Sequence, residues 1–165
     1  MNKKWETQSH AVFLVGPPGV GKTTWLNDNP SFVDFIVAST DSILEQYADQ
    51  HGITYRQAFQ QHMKEAEKQF KDQICACVES NLNIIFDRTN MSVKSRAKLL
   101  NMVPNHYKKT AVVFLAPKHI IEQQLEKREQ ETGKHVPEAV LETMLANFEF
   151  PTTVEGFDHI MTIQK

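Results

Sequence analysis

Short hydrophobic runs alternate along this chain with longer segments in which hydrophobic residues recur every three or four positions. A continuous hydrophobic run is typical of a parallel strand that is covered on both faces of its sheet. The longer spacing is typical of a helix with one buried face. The runs predict strands at Ala11–Val15, Phe35–Ala38, Ile84–Asp87, Ala111–Ala116 and His159–Ile163.

The segments between these strands predict helices with recognisable ends. Thr54 and Ser92 are suitable N-caps, and Pro117 fits the first turn of a helix. The predicted helices are Lys22–Asn27, Ser42–Gln50, Tyr55–Asn81, Ser92–Met102, Pro117–Gln130 and Pro137–Asn147. The longest helix has an apolar face that predicts core packing, formed by Phe59, Met63, Ala66, Phe70, Ile74 and Cys77. Because strands alternate with helices, we expect an α/β fold: a parallel sheet of about five strands with helices on both faces.

Length and composition predict one folded domain that spans residues 1–165. The chain is 41% hydrophobic and 23% charged, as globular proteins are. Its net charge of −2 argues against a protein that coats nucleic acid by charge alone, although a local basic groove is compatible with it. No hydrophobic run approaches the ~18 residues of a membrane span, and no signal peptide is recognisable, so we expect a cytoplasmic protein without membrane contact. Cys75 and Cys77 are interpreted as reduced structural thiols.

A phosphate-binding loop follows the first predicted strand. Residues 16–23 read Gly-Pro-Pro-Gly-Val-Gly-Lys-Thr, which matches G-x-x-x-x-G-K-[ST] between a strand and a helix. In this pattern the glycines let backbone N–H groups surround a phosphate, and Lys22 reaches the β- and γ-phosphates of a nucleotide. The residues expected to bind ATP are Gly16, Pro18, Gly19, Val20, Gly21, Lys22, Thr23 and Thr24.

Two oxygen donors predict a magnesium site beside this loop. The Thr23 hydroxyl occupies the position that ligates Mg²⁺ in such loops. Asp87 ends the predicted strand Ile84–Asp87, where a carboxylate faces the metal directly or through water. We therefore expect the cofactors ATP and Mg²⁺, with Thr23 and Asp87 on the metal side.

Three classes of P-loop protein compete for this sequence, and a kinase fits best. A GTPase carries an Asn/Thr-Lys-x-Asp guanine reader, which the sequence lacks. A hydrolysing ATPase usually has Glu directly after the strand-end Asp, whereas Arg88 follows Asp87 here. The chain is also too short for the additional helical domain of ring-forming ATPases. A compact kinase remains, in which an acceptor hydroxyl takes the place of water.

A kinase needs a carboxylate at the acceptor and cations around the transferred phosphoryl group. Asp41 follows the second predicted strand, whose carboxyl end lies at the same edge of the sheet as the loop, and we interpret it as the general base. The alternatives are that Asp41 caps a helix and that Asp87 is the base. Arg128, with the lysines around Gly133, predicts a small helical lid over the phosphates. Acidic residues alternate with these cations, so a solvated helix face is an equal alternative.

The chain resembles the polynucleotide 5′-hydroxyl kinases over nearly its whole length. The residues that carry the resemblance are Gly16–Thr24, Ser39-Thr40-Asp41 and Asp87-Arg88-Thr89-Asn90, followed by Ser92 and Arg96. The latter half is also similar to the kinase-like domain of heterogeneous nuclear ribonucleoprotein U, through Asp87-x-Thr89-Asn90, Gly133-Lys134-x-x-Pro137, Asn147-Phe148 and Phe157-Asp158. In the kinases the Asp after the second strand is the general base, which supports Asp41, and Arg128 matches a lid arginine of the phage form. The resemblance implies a P-loop kinase fold and a nucleic-acid substrate, DNA or RNA.

The sequence departs from that family on the acceptor side of the site. The phage form often has an arginine three residues after the general base, where it grips the acceptor's phosphate, and this chain has Leu44 there. Arg88, Lys94 and Arg96 are the expected replacements, although Arg96 has packing on its helix as an alternative. The acceptor-side residues are therefore expected to be Asp41, Arg88, Thr89, Asn90 and Arg96.

These features together predict a kinase that transfers the γ-phosphoryl group of ATP to a nucleic-acid hydroxyl, first of all the 5′-hydroxyl of a DNA or RNA end. Alternative acceptors are a hydroxylated modified base in DNA, a nucleoside or a small metabolite. A non-catalytic ATP-binding module is the alternative of a different class. The presence of Lys22, Thr23, Asp41 and Asp87 disfavours it, because a binding module needs no acceptor carboxylate.

Overall fold

The computed structural model describes residues 8–165, in which five strands alternate with helices. The strands are β1 (His10–Val15), β2 (Ile36–Ala38), β3 (Ile84–Asp87), β4 (Lys108–Leu115) and β5 (His159–Gln164). The α-helices are α1 (Lys22–Asn27), α2 (Thr40–His51), α3 (Tyr55–Glu79), α4 (Val93–Leu100), α5 (Lys118–Thr132) and α6 (Glu138–Ala146). Short 3₁₀ turns lie at Pro30–Phe32 and Thr153–Glu155.

The strands form one parallel sheet in the order β2-β3-β1-β4-β5. The central strand is β1, in which Phe13 lies opposite Phe86 of β3 on one side and opposite Ala111 of β4 on the other. Parallel strands have their carboxyl ends at one edge, so the loops after β1, β2 and β3 open on the same side of the domain. This topology confirms the predicted α/β fold and brings the phosphate-binding loop, Asp41 and Asp87 to one edge.

The core has two layers because successive side chains of β1 point to opposite faces of the sheet. On one face the Phe13 and Phe86 rings stack with their centroids 4.5 Å apart. The helical residues that cover this face come from α3 and α4, and they are Phe70, Ile74, Cys77, Leu99 and Leu100. The other face, with Val12 and Leu14, is covered by residues of α5 and α6, which are Ile121, Leu125 and Leu141. Helices therefore lie on both faces of the sheet, as the sequence predicts.

The apolar face predicted for α3 is only partly a core surface. Phe70, Ile74 and Cys77 are buried, but Phe59 is 48% exposed. The helix begins at Tyr55, and the buried position in its first turn is Ala58, at 0% exposed, so Phe59 lies on the solvent side there. The expectation of core packing is thus wrong for Phe59. Thr54 caps α3 as predicted, and its hydroxyl accepts a hydrogen bond from the backbone N–H of Gln57.

Within residues 8–165, none of the helices combines the length and the hydrophobicity that a bilayer crossing requires.

Candidate active site

The phosphate-binding loop connects β1 to α1 and has the backbone conformation that its glycines allow. Gly19 and Gly21 have φ values of 80° and 93°, in the left-handed region that other residues rarely adopt. A Cβ on Gly19 would also lie 2.8 Å from Cγ of Leu125, so the loop packs directly against α5. The Lys22 ammonium folds back over the loop and donates to the carbonyl oxygens of Gly16 and Pro17 at 2.9 and 2.8 Å. The ammonium is therefore held over the concave side of the loop, where a phosphate binds in this motif.

A cleft of about 700 Å³ opens beside this loop and collects most of the predicted site residues. The predicted residues that line it are Pro18, Gly19, Gly21, Lys22, Thr23, Thr24, Asp41, Asp87, Arg88, Thr89 and Arg128. Gly16 and Val20 support the loop from below, since Gly16 is buried and Val20 is 1% exposed. Asn90 and Arg96 are buried and do not line the cleft.

Asp41 lies in the first turn of α2 and faces the cleft from the side opposite Arg128. Its Oδ1 atom accepts a hydrogen bond of 2.6 Å from the Tyr55 hydroxyl. Its Oδ2 atom lies 3.6 Å from Nη2 of Arg128. Ser39, and not Asp41, caps α2, because the Ser39 hydroxyl oxygen accepts from the N–H of Ser42. The Asp41 carboxylate is therefore not used as a helix cap and is presented to the cleft.

Burial changes the electrostatics of the two charged groups at the bottom of the cleft. Desolvation lowers the pKa of Lys22 to about 8, and the nearby Arg128 adds to this effect, while Asp87 and Asp41 oppose it. Burial also raises the pKa of Asp87, an effect that the Lys22 ammonium opposes. Because a bound phosphate is anionic, it would favour the charged form of Lys22.

In the Asp87-Arg88-Thr89-Asn90 segment, the first three residues line the cleft and Asn90 is buried beneath it. The carbonyl of Thr89 accepts from the N–H of Gly16 at 2.9 Å. Asn90 has a φ of 48°, and its side-chain amide donates to the carbonyl of Leu14 at 2.8 Å. These bonds tie the segment to the start of the phosphate-binding loop. The acceptor-side expectation is therefore wrong for the buried side chain of Asn90, which acts as a brace.

Arg88 remains at the cleft but is not a free cation. Its guanidinium donates to both carboxylate oxygens of Glu67 on α3, at 2.9 and 3.3 Å. It also lies over the ring of Phe70, 5.0 Å from the centroid. The Arg88 side chain is nevertheless 36% exposed and lines the cleft.

Arg96 is a core residue, which contradicts the expectation of a contact with an acceptor. Its side chain is 0% exposed and forms a two-point ion pair with Glu155, at 2.8 and 3.1 Å. A third hydrogen bond, of 2.9 Å, goes to the carbonyl of Asn90. Arg96 thus links the 3₁₀ turn at Thr153–Glu155 to the Asp87-Arg88-Thr89-Asn90 segment. A substrate has no access to the Arg96 side chain.

Sequence reasoning missed one contact of the cleft residues: Tyr55, at the start of α3, donates a hydrogen bond to Asp41. Lys134, which the sequence groups with Arg128 in the predicted lid, lines the cleft and forms an ion pair with Glu45 of α2. The ammonium of Lys134 also lies 4.6 Å from the centroid of the Tyr55 ring. Nothing in the sequence pattern marks a tyrosine at a helix start as a partner of a distant aspartate, so these contacts follow only from the tertiary structure.

The donors at the bottom of the cleft fit Mg²⁺. The Thr23 hydroxyl and the Asp87 carboxylate line the same cleft, and both are oxygen donors of the kind that this ion prefers. Among residues 8–165, no group of three or more His, Cys, Asp and Glu side chains forms a dedicated metal cage. One hydroxyl and one carboxylate suit an ion that is bound mainly by nucleotide phosphates and water.

Comparison with known proteins gives one family and several relatives. A family model described as an AAA domain, AAA_33, matches residues 12–151. The L-seryl-tRNA(Sec) kinase of Methanococcus maripaludis is 24% identical over 156 residues, which cover 89% of this chain and 55% of that protein. The chain therefore spans about half the length of the curated relative that it matches.

Two solved structures have the same fold. The chain matches a structure of the PezAT toxin–antitoxin system of Streptococcus pneumoniae with a TM-score of 0.74 and 17% identity, over 96% of this chain and 68% of that one. It matches the Pnkp1/Rnl/Hen1 RNA repair complex with a TM-score of 0.68 and 22% identity, over 87% of this chain and 46% of the other. Since the family match covers residues 12–151, the protein belongs to the AAA_33 family.

Proposed function

We propose that this domain transfers the γ-phosphoryl group of ATP to a hydroxyl of a nucleic acid, with the 5′-hydroxyl of a DNA or RNA end as the first candidate. The observation that carries the proposal is the position of Asp41. This carboxylate lines the same cleft as the phosphate-binding loop and has no role as a helix cap. A protein that only binds ATP has no need of a carboxylate there, whereas a kinase uses one to orient the acceptor.

The predicted site residues have the following roles in the proposed transfer. The loop and Lys22 bind the β- and γ-phosphates, and Thr23 and Asp87 would hold Mg²⁺, which neutralises phosphate charge. Asp41 orients the acceptor hydroxyl and takes its proton. The acceptor oxygen forms a bond to the γ-phosphorus as the bond between that phosphorus and the β–γ bridging oxygen breaks, and ADP leaves. Arg128 stabilises the charge on the transferred group.

Two observations support a nucleic-acid acceptor. The relative that is 24% identical is an L-seryl-tRNA(Sec) kinase, whose substrate is an RNA that carries a seryl group. Cationic side chains also line the cleft beyond Lys22, and they are Arg88, Lys127, Arg128 and Lys134. Leu44, which stands where the phage form often has an arginine, is 0% exposed and cannot contact a substrate. We assign the acceptor phosphate to Arg88, which lines the cleft and has a side chain that is 36% exposed.

A small hydroxylated acceptor is the second candidate, and the pairing of the cleft cations favours it. Arg88 pairs with Glu67, and Lys134 pairs with Glu45. Lys127 lies 3.8 Å from Glu131. A polyanion gains most from cations whose charge is not already compensated, because its binding depends on charge neutralisation. Binding of a modified base, a nucleoside or a metabolite depends less on cations whose charge is uncompensated.

Transfer of label from γ-labelled ATP to a panel of acceptors tests the proposal. The panel contains 5′-hydroxyl DNA and RNA oligonucleotides, DNA with hydroxymethylated bases, free nucleosides and small sugars. The same oligonucleotides with a 5′-phosphate already present serve as matched controls. Label on the 5′-hydroxyl ends alone is the expected result. Label confined to bases, nucleosides or sugars would move the assignment to the second candidate, and ATP binding without any transfer would contradict both.

A further inference from the structure

Tyr55 makes the shortest hydrogen bond that the structure gives to Asp41. Its hydroxyl donates to Oδ1 at 2.6 Å, the short distance of an O–H group bonded to a charged carboxylate. Burial and this contact both raise the pKa of Tyr55, so the phenol carries its proton throughout the pH range in which enzymes work. Tyr55 therefore acts as a donor to Asp41 and does not compete with it for a proton.

Tyr55 is held both at its backbone and at its ring. Tyr55 is the first residue of α3, directly after Thr54, whose capping box with Gln57 fixes the start of the helix. On the other side the Lys134 ammonium lies over the ring at 4.6 Å and pairs with Glu45. The Tyr55 side chain is thus fixed by its own helix, α3, and by Lys134 in the segment after α5.

Asp41 needs such a support because little else holds its carboxylate. The side chain is 54% exposed in the first turn of α2. Its other partner, Arg128, lies 3.6 Å from Oδ2, beyond ordinary hydrogen-bond length. In the proposed reaction that guanidinium serves the transferred phosphoryl group, and Oδ2 has to be free to accept the proton of the acceptor.

We propose that Tyr55 is the positioning residue of this site: its hydroxyl holds Oδ1 of Asp41 so that Oδ2 faces the acceptor hydroxyl. This role rests on the proposed function of the domain as a kinase with Asp41 as its base. Tyr55 acts through Asp41 and needs no contact with the substrate. The expected effect of its loss is on the rate of transfer, because a carboxylate that rotates freely spends less time in the productive orientation.

The substitution Tyr55→Phe tests this role by removing one oxygen atom while it keeps the ring and its contact with Lys134. We expect kcat to fall by about 10- to 100-fold, with the KM for ATP, the nucleotide affinity and the melting temperature almost unchanged. Tyr47→Phe on α2 is the matched control, since Tyr47 stacks between His51 and His62 at 4.0 and 3.8 Å and lines no part of the cleft. This variant should keep the wild-type rate.

A second measurement follows the contact itself and does not depend on activity. With ¹³C-labelled tyrosine, the Cζ signal of Tyr55, assigned by its loss in Tyr55→Phe, should have a different chemical shift at neutral pH in Asp41→Asn than in the wild type, because the carboxylate that accepts from the hydroxyl is gone. An unchanged chemical shift would overturn the contact, and a Tyr55→Phe variant with a kcat within twofold of wild type would overturn the role. A parallel fall of ATP affinity and melting temperature would also overturn it in favour of a structural role. If the wild type transfers to no acceptor at all, the proposed function fails and the role of Tyr55 fails with it; failure of Tyr55→Phe in an active enzyme affects the role alone.

Discussion

The guanidinium of Arg128 lies 3.6 Å from the carboxylate of Asp41 across the cleft. The contact joins α5, which packs on one face of the sheet, to the start of α2, and both residues line the cleft beside the phosphate-binding loop. A cation in this position can interact either with the Asp41 carboxylate or with a phosphoryl group that passes from ATP to the acceptor. Arg128 and the proposed base are therefore close enough to act on the same phosphoryl group.

Replacing Arg128 with alanine should reduce the rate of transfer more than the binding of ATP. An arginine that stabilises the charge of the transferred group is worth about 10³–10⁵ in kcat in this chemistry. We expect a loss of about 10³-fold in kcat, with nucleotide affinity reduced much less. Lys127→Ala is the neighbouring control, and because this side chain is 75% exposed it should cost less than about tenfold. Equal losses in the two variants would contradict a specific role for Arg128.

The affinity for ATP should fall at alkaline pH because Lys22 has a pKa of about 8, lowered mainly by burial. Above that pH the free protein loses the Lys22 proton, whereas bound phosphate favours the protonated form, so binding must take up a proton. Affinity should therefore fall by up to about tenfold per pH unit above pH 8. Titration calorimetry in buffers of different ionisation enthalpy measures both the affinity and the proton uptake.

The control for this pH dependence is Lys22→Arg, because a guanidinium stays protonated over the whole range. Its affinity, even if weaker, should not change between pH 7.5 and about pH 9.5. A wild-type affinity that is equally flat, without proton uptake, would exclude Lys22 as the phosphate contact.

Asp87→Asn should raise the Mg²⁺ concentration needed for half-maximal transfer. The amide is neutral and is a weaker ligand than a carboxylate, so the ion loses a charged partner. We expect an increase of about tenfold, measured by titrating Mg²⁺ at saturating ATP. Asp72→Asn, the same substitution at an exposed position of α3, should leave the Mg²⁺ requirement unchanged. A requirement that does not change in Asp87→Asn would remove this residue from the metal side of the site.

The buried pair of Arg96 and Glu155 should contribute to stability and not to acceptor binding. Glu155→Gln leaves the fully buried guanidinium without its charged partner, which should lower the free energy of unfolding by about 3 kcal/mol. Glu142→Gln breaks the exposed pair with Lys118 and should change the stability much less, because solvent screens this pair. Urea denaturation measures both. The KM for the acceptor should be unaffected in Glu155→Gln, and an increase of more than tenfold would return Arg96 to the acceptor side.

The fold was largely predictable because its signals are local. The hydrophobic run before Asp87 is bounded by polar residues, and β3 has the predicted ends at Ile84 and Asp87. The start of β4 was missed because residues 108–110 are Lys-Lys-Thr, whose backbone pairs with β1 although their side chains are polar. Periodicity identifies which face of a helix is apolar but not what covers that face, and for this reason Phe59 was wrongly placed in the core.

The site was predictable only where a motif or a strand end marks it. The loop from Gly16 to Thr23 has a fixed spacing, Asp87 ends β3, and Asp41 follows shortly after the end of β2 at Ala38. The contacts of Arg96 with Glu155 and of Tyr55 with Asp41 join residues that are far apart in sequence, and no local pattern distinguishes them from a surface arginine or a core tyrosine. Roles that depend on such pairs require the tertiary structure.

The role of Asp41 as the general base is tested most directly by comparing the wild type with Asp41→Asn in two assays on the same preparations. Calorimetry measures nucleotide affinity, and γ-labelled ATP measures transfer of label. The substitution keeps the size of the side chain and removes the carboxylate that lines the cleft. We expect ATP affinity within about threefold of wild type and a loss of transfer of at least about 10²-fold, the usual contribution of a general base. Transfer at close to the wild-type rate in Asp41→Asn would show that this carboxylate does not serve the acceptor.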